Sequence, residues 1–128
     1  MPEKSYADTS YISLETFKRD GNGVKTPVWC APVGDEIAIF TEGSAYKVKR
    51  LRRDQNVRVA RCDVRGKVRG EWCAGTGRIV DSSDEEGRAY AALRKKYGLM
   101  MYLTDFLSTL SGRIKRRKVL MLKLDAPQ

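Results

Sequence analysis

Three short stretches of alternating apolar and polar residues, separated by glycine-bearing turns, constrain this chain more than any other feature. Tyr11 to Phe17 places Ile12, Leu14 and Thr16 on one side and Tyr11, Ser13, Glu15 and Phe17 on the other, the period of two that belongs to a strand. It runs into Asp20-Gly21-Asn22-Gly23, a strong hairpin signal because Asn and Gly tolerate the positive φ that tight turns need. Val24 to Val33 resumes with Val24, Thr26, Val28 and Cys30 on one side. Gly34-Asp35 turns the chain again, and Glu36 to Thr41 returns with Ile37 and Ile39 opposite Ala38 and Phe40. The three runs read as a meander. Pro27 and Pro32 each lack a ladder donor, so the second strand should be bulged or lie partly at a sheet edge.

After Glu42-Gly43-Ser44 the pattern turns helical, with Ala45, Val48 and Leu51 on one face and basic residues elsewhere. Val57 to Asp63 and Trp72 to Val80 are two more strands, joined through a basic Arg65-Gly66-Lys67 turn. Ser83 with Glu86 three residues on predicts a capping box for a helix that carries Tyr90, Leu93 and Tyr97 and closes at Gly98. A second helix, Leu99 to Leu110, is apolar on more than one side, Gly112 ends it, and Lys118 to Leu124 supplies a last strand. The expected count is six strands, a basic helix after the third, and a late helical hairpin. No repeat or linker divides the chain, so residues 1–128 are expected to form one domain with short tails at about 1–8 and 125–128.

No apolar run approaches the roughly 20 residues that span a bilayer, and the stretch from Met1 to Lys18 lacks the apolar centre of a secretory signal. A cytoplasmic address is expected. Cys30, Cys62 and Cys73 stand far apart and there is no histidine, which leaves no zinc spacing or disulfide framework. The missing histidine also removes Ser-His and Cys-His pairs and histidine ligands, so hydrolase and metalloenzyme readings lose most of their weight and no metal is expected.

Twenty-five basic residues against 16 acidic ones give a formal charge of +9, which calls for an anionic ligand or partner. Ten of the basic side chains fall between Tyr46 and Arg69, against only Asp54 and Asp63. The segment from Phe40 to Arg53 joins a strand end, a Gly/Ser turn with open amides and a helix that begins with lysines. Backbone N–H groups at a helix start and ammonium groups both favour phosphate. A plain solvated basic helix has the same composition.

Taken together, Tyr11 to Phe17 with Asp20-Gly21, Thr26-Pro27-Val28-Trp29, Phe40-Thr41, Lys47-Val48-Lys49-Arg50-Leu51-Arg52-Arg53, Val57-Arg58-Val59 and Gly75-Thr76-Gly77-Arg78 resemble the pyridoxamine 5′-phosphate oxidase-like superfamily. The likeness is to its small deazaflavin (coenzyme F420)-dependent members. The resemblance implies a mainly β fold with helices, a six-stranded split β-barrel (the FMN-binding split barrel) that dimerises around two cofactor sites. By motif, Thr41 and Lys47 would hold the cofactor phosphate, and Thr26, Val28 and Trp29 would lie against its ring. Lys49 and Arg52 would extend the anion site, and Arg50, Arg52, Arg53 and Arg58 would meet the oligoglutamate tail of the deazaflavin. Tyr46 stands where the FMN-using oxidases carry an arginine, and their histidine-bearing C-terminal segment has no counterpart, which argues against pyridoxamine oxidation.

The function expected from this resemblance is an F420-dependent oxidoreductase that passes a hydride to or from a small unsaturated or quinone-like substrate. FMN is the alternative cofactor. In such a protein the cofactor carries the chemistry, and no catalytic acid or base is nominated. A non-enzymatic flavin or deazaflavin carrier on the same fold is the second reading. A nucleic-acid-binding barrel, with Tyr46, Trp29 and Trp72 as stacking platforms, is the third. Nucleic acid is not expected as a partner, because the aromatics are not interleaved with the basic run. Gly75-Thr76-Gly77 reads as close backbone packing or a bulge, Trp72 as part of the barrel wall or as a residue reaching the neighbouring subunit's cofactor, Leu99 to Leu110 as core or dimer contact, and Arg113 to Lys118 as a solvated turn.

Overall fold

The computed structural model describes residues 6, 9–42, 46–111 and 117–125. Strands β1 (Tyr11–Phe17) and β2 (Gly23–Val28) form the first hairpin, in register with Leu14 opposite Thr26 and Ile12 opposite Val28. Gly21 takes φ +88° at the turn, where the Asp20 carboxylate accepts the Asn22 N–H at 2.9 Å. Strand β3 (Ala31–Val33) pairs with β4 (Glu36–Glu42), followed by helix α1 (Tyr46–Arg53), β5 (Asn56–Cys62) and β6 (Cys73–Ile79). Helices α2 (Ser83–Tyr97) and α3 (Leu99–Ser111) precede β7 (Arg117–Leu124).

The described strands number seven, not the expected six. The run from Val24 to Val33 breaks at Trp29-Cys30, and its halves change partner: β2 pairs with β1, whereas β3 pairs with β4. The sheet is antiparallel, in the order β2-β1-β5-β6-β7-β4-β3. Its two edge strands are therefore consecutive in the chain, two residues apart. Two residues reach only about 7 Å beyond a strand end, so the sheet must curl until its edges nearly meet. Pro27 and Pro32 both sit on these edge strands, where a missing ladder donor costs least.

One face of the curled sheet supplies the interior. Ile12 and Leu14 meet Val57 and Val59, Ile37, Ile39, Leu120 and Leu122, all nearly or fully buried, and Val48 and Leu51 of α1 join the same cluster. Helix α1 thus plugs the barrel with one face and leaves its charged face outside. Helix α2 covers the opposite side of the sheet, where Ala89 packs with Ala38, Val119 and Met121. Leu93 packs with Ala31 and Met101. Arg78 fastens this layer by bridging Glu36 at 3.0 Å and Glu85 at 2.5 Å.

The start of α2 differs by one residue from its expected cap. Ser82 is the N-cap and its hydroxyl accepts the Glu85 N–H at 3.4 Å. Ser82-Ser83 followed by Glu85-Glu86 offers two registers one residue apart, and the chain uses the first. Gly98 closes the helix as expected, with φ +56° and its N–H bonded to the Arg94 carbonyl at 2.8 Å. Helix α3 buries Met101, but Leu99, Met100, Tyr102, Leu103, Phe106 and Leu107 remain 56–84% exposed, so in this chain the apolar stripe is not core. Among the described residues no helix is long and apolar enough to cross a membrane. Gly112 and most of the Arg113 to Lys118 run lie outside the described residues, as do most of the expected tails.

Candidate anion-binding site

At about 100° per residue, α1 sorts its eight side chains into distinct faces. Val48 and Leu51 are buried. Tyr46, Lys49, Arg50 and Arg53, spaced i, i+3, i+4 and i+7, fall on the opposite side, with Lys47 and Arg52 on the two flanks. The Tyr46 face forms one wall of an open cleft of about 420 Å³, and Lys18 and Arg19, from the start of the β1–β2 turn, form the other.

Two of the arginines are anchored. Arg50 Nη1 donates to Thr16 Oγ1 at 3.4 Å, and Arg53 Nη2 donates to the Phe17 carbonyl. Tyr46 is 71% exposed, with Lys49 Nζ 5.2 Å and Arg50 Cζ 5.8 Å from its ring centroid. Among the described residues the ion pairs within 4 Å engage Arg58, Arg69, Arg78 and Lys123 and none of these five cleft cations. A cleft lined by five such cations has a strongly positive potential.

The residues singled out in the sequence distribute over several elements. Lys47 is half-buried on the flank of α1, and burial, with the nearby Arg50 charge adding to it, pushes its ammonium below the usual lysine range. Thr41 is half-buried on β4 opposite Lys118, and the Gly43-Ser44 turn between them lies outside the described residues. Lys49 belongs to the cleft, while Arg52 is exposed on the other flank. Thr26 and Val28 are half-buried on β2, and Val28 packs against the barrel interior.

Trp29 leaves that group. It packs under α2, stacked on Tyr97 with centroids 4.4 Å apart and rings within 10° of parallel, and edge-on to Phe40 at 6.2 Å. Arg58 is engaged on β5, where it pairs with the buried Glu15 at 3.1 Å and lies 4.9 Å from the Trp72 ring, with Lys25 Nζ 5.1 Å from the same ring. Of the four arginines expected to meet the tail, Arg50 and Arg53 share the cleft wall, Arg52 is on the other flank of α1 and Arg58 is paired on β5.

Sequence reasoning missed Lys18 and Arg19, whose only signal was two adjacent cations before a turn. It also missed the part played by the end of α2. Lys96 Nζ donates to the Cys30 carbonyl at 2.6 Å and to the Tyr6 carbonyl at 3.0 Å, so α2 holds the seam between β2 and β3.

No family model matches this sequence, and no curated protein sequence matches it. Solved structures do match by fold. The haem storage protein HutZ from Vibrio cholerae is 11% identical, with a TM-score of 0.72, over 97% of this chain and 88% of that one. A candidate pyridoxamine 5′-phosphate oxidase from Listeria innocua is 11% identical, with a TM-score of 0.64, over 91% and 85%. A protein described as an F420 reductase is 15% identical, with a TM-score of 0.62, over 98% and 95%. The chain shares its overall fold with these solved structures, among them the candidate pyridoxamine 5′-phosphate oxidase.

Proposed function

We propose that this protein binds a phosphate-bearing deazaflavin of the F420 type as a homodimeric oxidoreductase, with FMN as the alternative cofactor. The observation that carries the reading is Lys47. A half-buried ammonium whose charged form is disfavoured by burial and by Arg50 is relieved by a nearby anion. It stands on the first turn of α1, six residues after Thr41 near the end of β4, and this ammonium and that hydroxyl are the two groups the reading assigns to the phosphate. That donor set fits the group.

In this reading Thr41 and Lys47 grip the phosphate and Arg52 adds to the surrounding positive field. Thr26 and Val28 line the ring from β2, and Trp29, locked against Tyr97, fixes the end of that strand. The bound cofactor supplies the hydride chemistry; the chain's residues orient it and exclude water. The exposed apolar residues of α3 are the face a second copy would cover. A haem-binding reading has less support, because the chain has no histidine, a common axial ligand.

Fluorescence-quench titrations of the purified protein with the deazaflavin and, in parallel, with FMN test the proposal. Tight binding of the deazaflavin together with hydride transfer to a quinone supports it, and FMN alone would move the protein to the flavin branch. Binding without turnover across a substrate panel would make the protein a carrier, and binding of neither would remove the reading.

A further inference from the structure

The cofactor phosphate assigned to Thr41 and Lys47 leaves the cleft on the other side of α1 without a ligand. Its cations come from two elements about 30 residues apart in sequence, Lys18 and Arg19 from the hairpin and Lys49, Arg50 and Arg53 from the helix. Arg50 and Arg53 are held in place by Thr16 and Phe17, so less side-chain freedom is lost when a ligand binds. Guanidinium forks suit phosphate oxygens in particular.

Two further observations narrow the ligand. The cleft, at about 420 Å³, lies within the range of roughly 300–1,000 Å³ typical of small-molecule sites. The wall that α1 offers is eight residues long, or about 12 Å, which suits one nucleotide with its phosphates and is short for an extended strand. Tyr46 presents an exposed ring at the same wall, and an aromatic face beside cations is a platform for a base. A chain of carboxylates would use the cations and need no aromatic face beyond the contacts Tyr46 already makes with Lys49 and Arg50.

We infer that the cleft between the β1–β2 turn and the outer face of α1 is a nucleotide-binding site, in which the five cations meet the phosphates and Tyr46 stacks on the base. Lys49, Arg50 and Arg53, which the family resemblance gave to the outer anion site and the deazaflavin tail, are here given to the nucleotide, so the inference rests on a reading in which Thr41 and Lys47 hold the cofactor phosphate without them.

Calorimetric titration of the full chain with adenosine triphosphate, inorganic tripolyphosphate, a single-stranded 20-mer and polyglutamate tests it, in the parent and in the exposed-site variants Tyr46→Ala and Lys18→Glu. The expected result is one adenosine triphosphate bound per chain. Lys18→Glu should weaken it tenfold or more, and Tyr46→Ala should weaken it about fivefold while leaving tripolyphosphate unchanged. Tripolyphosphate or polyglutamate binding as tightly as the nucleotide, with Tyr46→Ala silent, would reduce the cleft to a general polyanion patch and overturn the inference. It is equally overturned if the 20-mer alone binds, if nothing binds, or if Lys18→Glu weakens flavin or deazaflavin to the same degree, since the cleft would then belong to a strand, to no ligand or to the cofactor.

Discussion

Tyr97 carries Trp29 on its ring face, 4.4 Å between centroids, while its hydroxyl accepts the N–H of the next residue, Cys30, at 2.9 Å. The same hydroxyl is 2.7 Å from the Ser10 carbonyl, to which it donates. Trp29 and Cys30 are the two residues between β2 and β3, outside both ladders. Backbone groups there must find partners elsewhere, and the last turn of α2 supplies them through Tyr97 and Lys96. The helix therefore does more than cover the sheet: it closes the barrel where the sheet cannot.

Tyr97→Phe separates the two roles of this residue. The ring stack on Trp29 survives, but the buried Cys30 N–H loses its acceptor, which costs about 1–3 kcal/mol. Urea denaturation should show a lower midpoint with an unchanged near-ultraviolet signal from Trp29. Tyr97→Leu should reduce both. An unchanged midpoint in Tyr97→Phe would mean that another group, or water, satisfies the seam.

The seam also sets the alkaline limit of stability. Burial pushes the Tyr97 hydroxyl, the Tyr6 hydroxyl and the Cys30 thiol all above their ordinary values. The folded chain then holds protons that the unfolded chain releases above about pH 8.5 for the thiol and about pH 10 for the tyrosines. Because the native state binds more protons there, stability is fully present at neutral pH and falls as pH rises through that range. Lys47, whose value is depressed, acts in the opposite direction, but as one group against four, because burial also raises the Cys62 thiol. Thermal melts between pH 7 and 11 should show the decline, and Cys30→Ala should delay its onset. A flat profile to pH 11 would contradict the assignment.

The two glycines of β6 lie against different neighbours. A Cβ on Gly75 would come within 2.4 Å of the Lys123 carbonyl oxygen and 2.9 Å of Leu124 Cα, both backbone atoms. On Gly77 it would meet side-chain methyls, Leu122 at 3.0 Å and Leu51 of α1 at 3.3 Å. Side chains yield more readily than strands, so Gly75→Ala should reach or exceed the upper end of the roughly 1–3 kcal/mol typical of overpacking, and Gly77→Ala the lower end. Chemical denaturation of both variants decides the order; equal costs would mean that β7 gives way as easily as a leucine. The same distances explain Gly75-Thr76-Gly77 as close packing, the reading the sequence favoured.

What could be read from the sequence was what depends on neighbours along the chain. Alternation located the strands to within a residue or two, and Pro27 and Pro32 marked edge strands. The break at Trp29-Cys30 was hidden because alternation runs straight through it: Val28 and Cys30 still face the interior, and only the strand's partner changes. Contacts that depend on tertiary distance left no trace at all. Arg58 meets Glu15 from 43 residues away, a partner that nothing along the chain suggested. Lys18 and Arg19 join the α1 cations only because the hairpin folds back beside the helix. Tyr46, which looked separate from the basic run when counted along the chain, lies among the cations once the helix places every third and fourth residue on one face.

If Lys47 grips the cofactor phosphate, affinity should depend on pH in a specific way. Burial and Arg50 hold the ammonium below the usual lysine range, so it loses its proton at a lower pH than an exposed lysine does. A bound phosphate favours the charged form, and affinity must therefore fall as pH rises through this lowered value, where a surface lysine would remain charged. Lys47→Ala should weaken binding at pH 7 by about 1.5–3 kcal/mol, the worth of a hydrogen bond to a charged group, or roughly 10- to 150-fold. It should also abolish the alkaline decline, and Lys47→Arg, charged throughout, should move the decline to higher pH. Cofactor titrations at several pH values read both effects, and an alkaline limb that persists in Lys47→Ala would place the phosphate against some other group.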